Sequence, residues 1–189
     1  MVRTLDRSVD DAIAAAALTL LVEQGFARLT IEAVAKAACV GKPAIYRRFS
    51  DKASLVEHVI SRQLPVLEPP DLDDSRTELW RAVEQGLPAD GPSYVALIGG
   101  LIAEQDRHPE LIEAFREYVL LPRRAVVRSI IERGQTRGEI RGDLDPEAAL
   151  ELMAGPFLAR VFAGLDTGPR WRKAAFETWW QILGDRQAN

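Results

Sequence analysis

Lys42, Tyr46, Arg47, Arg48 and Lys52 fall within the run VGKPAIYRRFSDK of this 189-residue chain, four cations and a phenol at close spacing. Ammonium and guanidinium groups of this kind neutralise phosphates, and a guanidinium also pairs in two-pronged fashion with the O6 and N7 atoms of guanine in a major groove. Any exposed helix can carry a solvated basic face, so these residues mean more only if the chain braces them in one orientation. On a helix beginning near Lys42, Ala44, Ile45 and Phe49 can face inward, with Ile45 and Phe49 four apart on one side. Lys42, Tyr46, Arg47 and Arg48 are then left for the outside.

The elements that must position them are legible from caps and breaks. Thr30 precedes an apolar helical pattern (Ile31, Val34, Ala35, Ala38), where its hydroxyl can accept from the first-turn amides. Leu29 and Val34 stand at the two positions of a hydrophobic staple. The pattern lapses at Cys39, Val40 and Gly41, and Pro43 suits the first turn of a new helix, where its missing N–H costs nothing. Ser50 or Asp51 caps the helix after that and sets Lys52 at its start, within reach of a phosphate. Two short helices joined by a tight turn make a helix-turn-helix, and the second is too short to be stable without tertiary packing. An earlier helix supplies the support. It runs from Ser8, which with Asp11 resembles a capping box, to about Gln24, turns Ile13, Ala16, Ala17, Leu20 and Leu21 to one side, and closes at Gly25. Arg3 and Arg7 lie ahead of it, as a basic arm or as a frayed terminus.

The run VGKPAIYRRFSDKASLV resembles the N-terminal motif of the TetR family of bacterial transcriptional regulators, and the likeness covers residues 12–59. The resemblance implies that Thr30, Lys42, Pro43, Ala44, Tyr46, Arg47, Arg48 and Lys52 stand where family members contact phosphates or bases. It also implies a homodimer on a palindromic duplex DNA operator, with a C-terminal body that binds a small effector and dimerises through its last two helices. One departure is Cys39, at a turn position usually held by Gly; a left-handed backbone there costs a residue with a Cβ about 1 kcal/mol.

Charge supports this division. The net charge of −4 is unusual for a nucleic-acid binder until it is split: residues 1–63 hold nine Lys or Arg against seven Asp or Glu, a balance of +2, and the remainder 15 against 21, a balance of −6. A basic edge on an acidic body orients the molecule toward DNA. No apolar run is long enough to span a bilayer, and the N-terminus lacks the order of a secretory signal, so a cytoplasmic location is expected. One cysteine excludes an intramolecular disulfide and a thiolate metal cluster. Cys39 beside DNA invites a redox switch, but a single cysteine in a helical hairpin is more often a small apolar residue. His58 has no second His or Cys nearby to make a metal site. Neither a metal nor a cofactor is expected.

A fourth helix, to about Arg62, links the head to the body. Three prolines in residues 64–71 break the helical pattern and place the boundary there, giving a DNA-binding domain 1–63 and an effector and dimerisation domain 64–189. Helices follow from Ser75, which can cap the first, from Ser93, from His108 with a kink at Pro122, from an Asp145 cap, and from Pro169. The chain reads as all-α with about nine helices. Leu150, Met153, Phe157, Val161, Phe162, Phe176, Trp179 and Trp180 offer more apolar surface than two terminal helices need for themselves, as an isologous interface would. Trp80, Tyr94, Phe115, Tyr118 and Phe157 are candidates to line a pocket, and the lack of a basic run in the body favours a fairly apolar effector. Three readings remain open: a repressor released by a small ligand, a DNA-binding dimer without a small effector, and a small-molecule carrier or enzyme with a vestigial head. The third finds no nucleophile elbow, zinc-protease, P-loop or dinucleotide motif in the chain.

Overall fold

The structure, a computed structural model, describes residues 2–64, 67, 72–86 and 91–184, with side chains described from Ser8 onward except at Gln63 and residues 91–93. The chain is all-α, with no strand among the described residues. Its helices are α1 (Val2–Arg28), α2 (Ile31–Ala37), α3 (Lys42–Tyr46), α4 (Lys52–Gln63), α5 (Ser75–Gly86), α6 (Gly91–Ala103), α7 (Pro109–Phe115), α8 (Leu121–Arg137), α9 (Pro146–Phe162) and α10 (Pro169–Leu183). The long helix expected from His108 to Gly138 is divided between α7 and α8 by a five-residue π-helical turn, Arg116–Leu120. Pro122 has no N–H for the carbonyl one turn back, and the backbone widens just upstream of it.

The helices pack into two compact units. One comprises Met1–Val66 with Ser93–Leu120, the other Leu67–Pro92 with Leu121–Asn189. A single cut at residue 64 does not describe this packing. In the first unit α4 lies against both α1 and α7, so Leu55, Val56, Val59 and Ile60 share one core with Leu111, Ile112 and Phe115 as well as with Ile13, Ala17 and Leu21. In the second unit α5, α8, α9 and α10 surround Leu79, Val83, Ile130, Ile131, Leu150, Phe176 and Trp179.

Several local expectations change. α1 begins at Val2 rather than Ser8, because VRTLDRS contains no Gly or Pro to stop the helix; the segment bearing Arg3 and Arg7 is helical backbone, not an arm ahead of a helix. Gly25 interrupts α1 with φ 75° and ψ 169°, a conformation that a Cβ disfavours, and one further turn follows it. Ser75 is not the cap of α5 but a fully buried residue of its first turn. The cap is Asp74, whose side chain accepts from the Arg76 amide at 3.1 Å. α6 starts at Gly91 and ends at Ala103, earlier at both ends than expected. Pro156 stays within α9, and Asp145 caps that helix through the Glu147 and Ala148 amides at 2.8 and 2.9 Å. Most of the expected 64–71 break, and Leu87 to Asp90 of the loop before α6, lie outside the described residues.

In the second unit one buried carboxylate ties α5 to α8. Glu78 is 0% exposed and accepts from the Leu72 amide at 3.0 Å and from Arg133 at 2.6 Å. Beside it Arg137 donates to Ser75 Oγ at 2.7 Å, and the Ser75 amide donates to Glu139 at 2.8 Å. The backbones come close enough at Gly134 that an added Cβ would lie 2.5 Å from Ser75 Oγ and 2.6 Å from Ile140 Cδ1. Only glycine leaves that space.

Candidate nucleic-acid interface

The helix-turn-helix is built by local chemistry. Thr30 has extended backbone, and its hydroxyl accepts from the Ala33 amide at 3.1 Å, so it caps α2 as its position in the sequence predicts. Leu29 and Val34, the staple pair, are both buried, as are Ile31 and Ala35, which fixes α2 against the head's core. Past the C-cap Ala38, Cys39 takes φ 55° and is the only non-glycine among the described residues with positive φ. The Val40 amide then donates to the Ala35 carbonyl at 2.9 Å, which closes the turn. Cys39 is exposed. Replacing it with glycine relieves the left-handed strain without opening a cavity, so Cys39→Gly is expected to raise the thermal midpoint through about 1 kcal/mol of added stability. Thermal unfolding followed by circular dichroism checks this, and an unchanged or lowered midpoint would count against strain in the turn.

α3 is only five residues long, with Pro43 in its first turn and Ile45 as its one buried residue. Fully burying that side chain contributes about 2 kcal/mol, and the helix has no other anchor of this kind. Phe49 falls beyond the helix and is half-buried, its ring 5.3 Å from that of His58. Asp51, rather than Ser50, caps α4 by accepting from the Ser54 amide at 2.8 Å while the Ser54 hydroxyl takes the Asp51 N–H. The Ser54 bond also holds the Asp51 carboxyl below its ordinary pKa.

The eight residues singled out by sequence divide in two. Thr30, Lys42, Pro43, Tyr46 and Arg47 are exposed, with Tyr46 at 54%, and Ala44 is half-buried between them. Arg48 and Lys52 turn inward instead, which corrects the expectation that both face outward. The Arg48 guanidinium bonds to Asp10 of α1 and to the Ala44 carbonyl of α3 at 2.9 Å. The Lys52 ammonium donates to the Phe26 carbonyl at 2.9 Å and lies 4.1 Å from the centre of that ring. Both cations brace α3 and α4 on α1, where cation and carbonyl, or cation and ring face, attract. Sequence reasoning missed Asp10 and Phe26 because they lie 38 and 26 residues from their partners. It also missed Glu32, which accepts from Lys42 at 2.8 Å; the signal was a carboxylate in the first turn after the Thr30 cap.

The candidates in the body are dispersed. In the first unit Tyr94 and Phe115 have ring centres 6.4 Å apart, with Phe115 buried, while Tyr118 is exposed in the π-helical turn. In the second, Trp80 packs edge-on to Phe176 at 5.1 Å and Phe157 is buried. The structure does not gather these five around one described cavity. Of the residues expected at a dimer interface, Leu150, Phe157, Phe176 and Trp179 are core of their own protomer, and Met153, Val161 and Trp180 are half-buried. Of the apolar set read from the sequence Phe162 is the one fully on the surface, at 79%, and the rest of the exposed apolar surface of α9 and α10 belongs to Leu152, Leu158 and Ile182. An apolar groove of about 320 Å³ between these helices is lined by Leu152, Met153, Pro156, Trp171, Phe176 and Ile182, among others. Among the described residues no helix is long and apolar enough to cross a membrane, and no cluster of His, Cys, Asp or Glu could hold a metal.

Comparison with known proteins accords with this head. The family model for bacterial regulatory proteins of the tetR family matches residues 13–59, and that for the tetracyclin repressor-like C-terminal domain matches residues 69–174. An uncharacterized HTH-type transcriptional regulator of Mycobacterium tuberculosis is 30% identical over 147 residues, covering 77% of this chain and 72% of its own. The Bacillus subtilis regulator YdeS is 29% identical over 160 residues, covering 84% and 81%. A transcriptional regulator of Saccharomonospora viridis, solved in complex with choline, has the same fold, with a TM-score of 0.78 at 18% identity over 94% of this chain and 98% of its own. Members of this family are DNA-binding regulators rather than enzymes, and they bind DNA as dimers. With the head matched over its helix-turn-helix and the body over more than half of the sequence, the chain belongs to the TetR family of bacterial transcriptional regulators.

Proposed function

We propose that this protein is a dimeric repressor that holds a palindromic operator in the cytoplasm and leaves it when a small, fairly apolar ligand binds the body. Residues 1–63 read DNA and residues 64–189 bind the effector and the second copy, a division that the ranges of the two family matches support. The observation that carries the reading is the exposed set Thr30, Lys42, Pro43, Tyr46 and Arg47 around the single buried anchor Ile45. Thr30 and Lys42 are suited to phosphates, and Tyr46 and Arg47 to the groove edge. Ala44 packs close to the bases without blocking approach. Arg48 and Lys52 act from behind, as braces that fix the angle of α3. Two such helices on a two-fold axis read successive major grooves, which gives selectivity that one five-residue helix cannot supply. A ligand that fits only one spacing of the two heads moves the dimer to the state that cannot span both half-sites.

The test is binding to the DNA flanking the protein's own gene. Tyr46→Ala and Arg47→Ala are each expected to weaken binding by about tenfold or more at constant salt. If wild type and both variants bind that DNA equally, the reading fails. A second reading, a dimer that binds DNA without a small effector, is favoured by Tyr94 and Phe115 belonging to one hydrophobic core and Trp80 to another. A thermal-shift screen of small molecules separates the two, since a ligand that binds the folded state raises the midpoint.

A further inference from the structure

α2 and α3 together carry one carboxylate, Glu32. It stands two residues past the Thr30 cap with its side chain 64% exposed, and its Oε1 accepts from Lys42 Nζ, 51% exposed, at 2.8 Å across the two helices. The hydrogen bond to Lys42 lowers the pKa of the Glu32 carboxyl, and the same bond raises that of the ammonium, so both stay charged at neutral pH. Exposed ion pairs add little to stability, so folding alone does not account for an anion on a face that must approach a polyanion.

The pair faces two fates on DNA. On an arbitrary duplex a phosphate shares Lys42 with Glu32 or draws it away, and either way a carboxylate stands beside the phosphates. Repulsion then offsets the contact, and binding is weak. Where a cytosine lies opposite, its N4 amino group donates to Glu32; cytosine is the usual base partner of a carboxylate in the major groove, because adenine sets its N6 donor beside the N7 acceptor, which repels an anion. That hydrogen bond offsets part of the repulsion, and Lys42 is freed for a phosphate. We propose that Glu32, held by Lys42, is a specificity-determining residue of this interface: it reads a cytosine in each half-site and suppresses binding elsewhere. The inference rests on the DNA-binding reading above and assigns a role within it to a side chain outside the set of contacts proposed there.

The test uses the full-length chain as wild type, Glu32→Gln and Tyr46→Ala, each taken through selection from a random duplex library. Affinity is then measured for the selected site and for a random duplex at one salt concentration. Glu32→Gln is isosteric and exposed, so its fold is not at risk. It is expected to bind the random duplex about tenfold tighter, to lower the ratio of specific to non-specific affinity by about tenfold, and to lose a cytosine preference at one symmetry-related pair of positions. Unchanged base preferences overturn the inference, even with tighter random binding, because removal of a charge explains that alone. If wild type selects a site, Tyr46→Ala abolishes it and Glu32→Gln matches wild type, only this inference falls. If wild type selects no site, the DNA-binding reading falls and takes the inference with it.

Discussion

Glu78→Ala is expected to destabilise the second compact unit by about 3 kcal/mol, more than an exposed surface change can, because a buried carboxylate serves donors from two directions. Its two oxygens take the Leu72 amide and the Arg133 guanidinium, and Arg137 lies 3.9 Å away while holding Ser75. Truncation leaves the Leu72 amide unpaired and the Arg133 guanidinium without its anion, while Arg137 keeps Glu139 at 3.1 Å. Arg133 is 40% exposed and can turn to water, which keeps the loss at the lower end of what breaking a buried pair costs. No apolar collapse compensates, since Gly134 already brings α8 into contact with Ser75 and Ile140. The thermal midpoint should fall by about 6 to 12 °C for a chain of this size. Glu84→Ala, an exposed change on the same helix, should move it by a degree or two at most, within about 0.5 kcal/mol. Equal midpoints for the two variants would show that the buried carboxylate contributes no more than a surface one.

What could be read in the sequence was the local chemistry. Thr30 as a cap, Pro43 at a first turn, Ile45 as the inward residue of α3 and Asp145 before α9 all depend on neighbours within a few positions, and the structure places each as its spacing predicts. The left-handed turn at Cys39 and the break at Gly25 belong to the same class, since a backbone that must reverse shows at the residue that reverses it. The illegible part was tertiary. Arg48 and Lys52 have the same composition and spacing whether they point to DNA or to α1; only Asp10 and the Phe26 carbonyl decide, and both lie far along the chain. Ser75 resembles a cap as well as Asp74 does, until Glu139 takes its amide and Arg137 its hydroxyl. In α9 apolar residues occur on every side, so periodicity could not say which of them are core.

That last ambiguity governs the prediction with the largest consequence for binding. Within the protomer Leu150 and Phe157 fill the core, while Phe162 is 79% exposed and has Leu158 one turn before it on the same side of α9. Phe162 therefore contributes little to the fold of one copy, and an exposed phenylalanine of this kind is the sort of side chain a second copy would cover. Covering it on both protomers contributes about 3 to 6 kcal/mol by two-fold symmetry, and an arginine there would forfeit that burial and set two like charges against each other. Phe162→Arg is accordingly expected to weaken dimerisation by about a hundredfold to ten-thousandfold, which sedimentation equilibrium reads directly. Helical content should stay at the wild-type level, whereas Leu150→Arg, which places a charge in the core, should lose it. Operator binding should fall with the dimer, because each α3 offers only one turn of helix to the groove and selectivity comes from the pair. A Phe162→Arg protein that remains dimeric at micromolar concentration would place the two-fold axis elsewhere on the body.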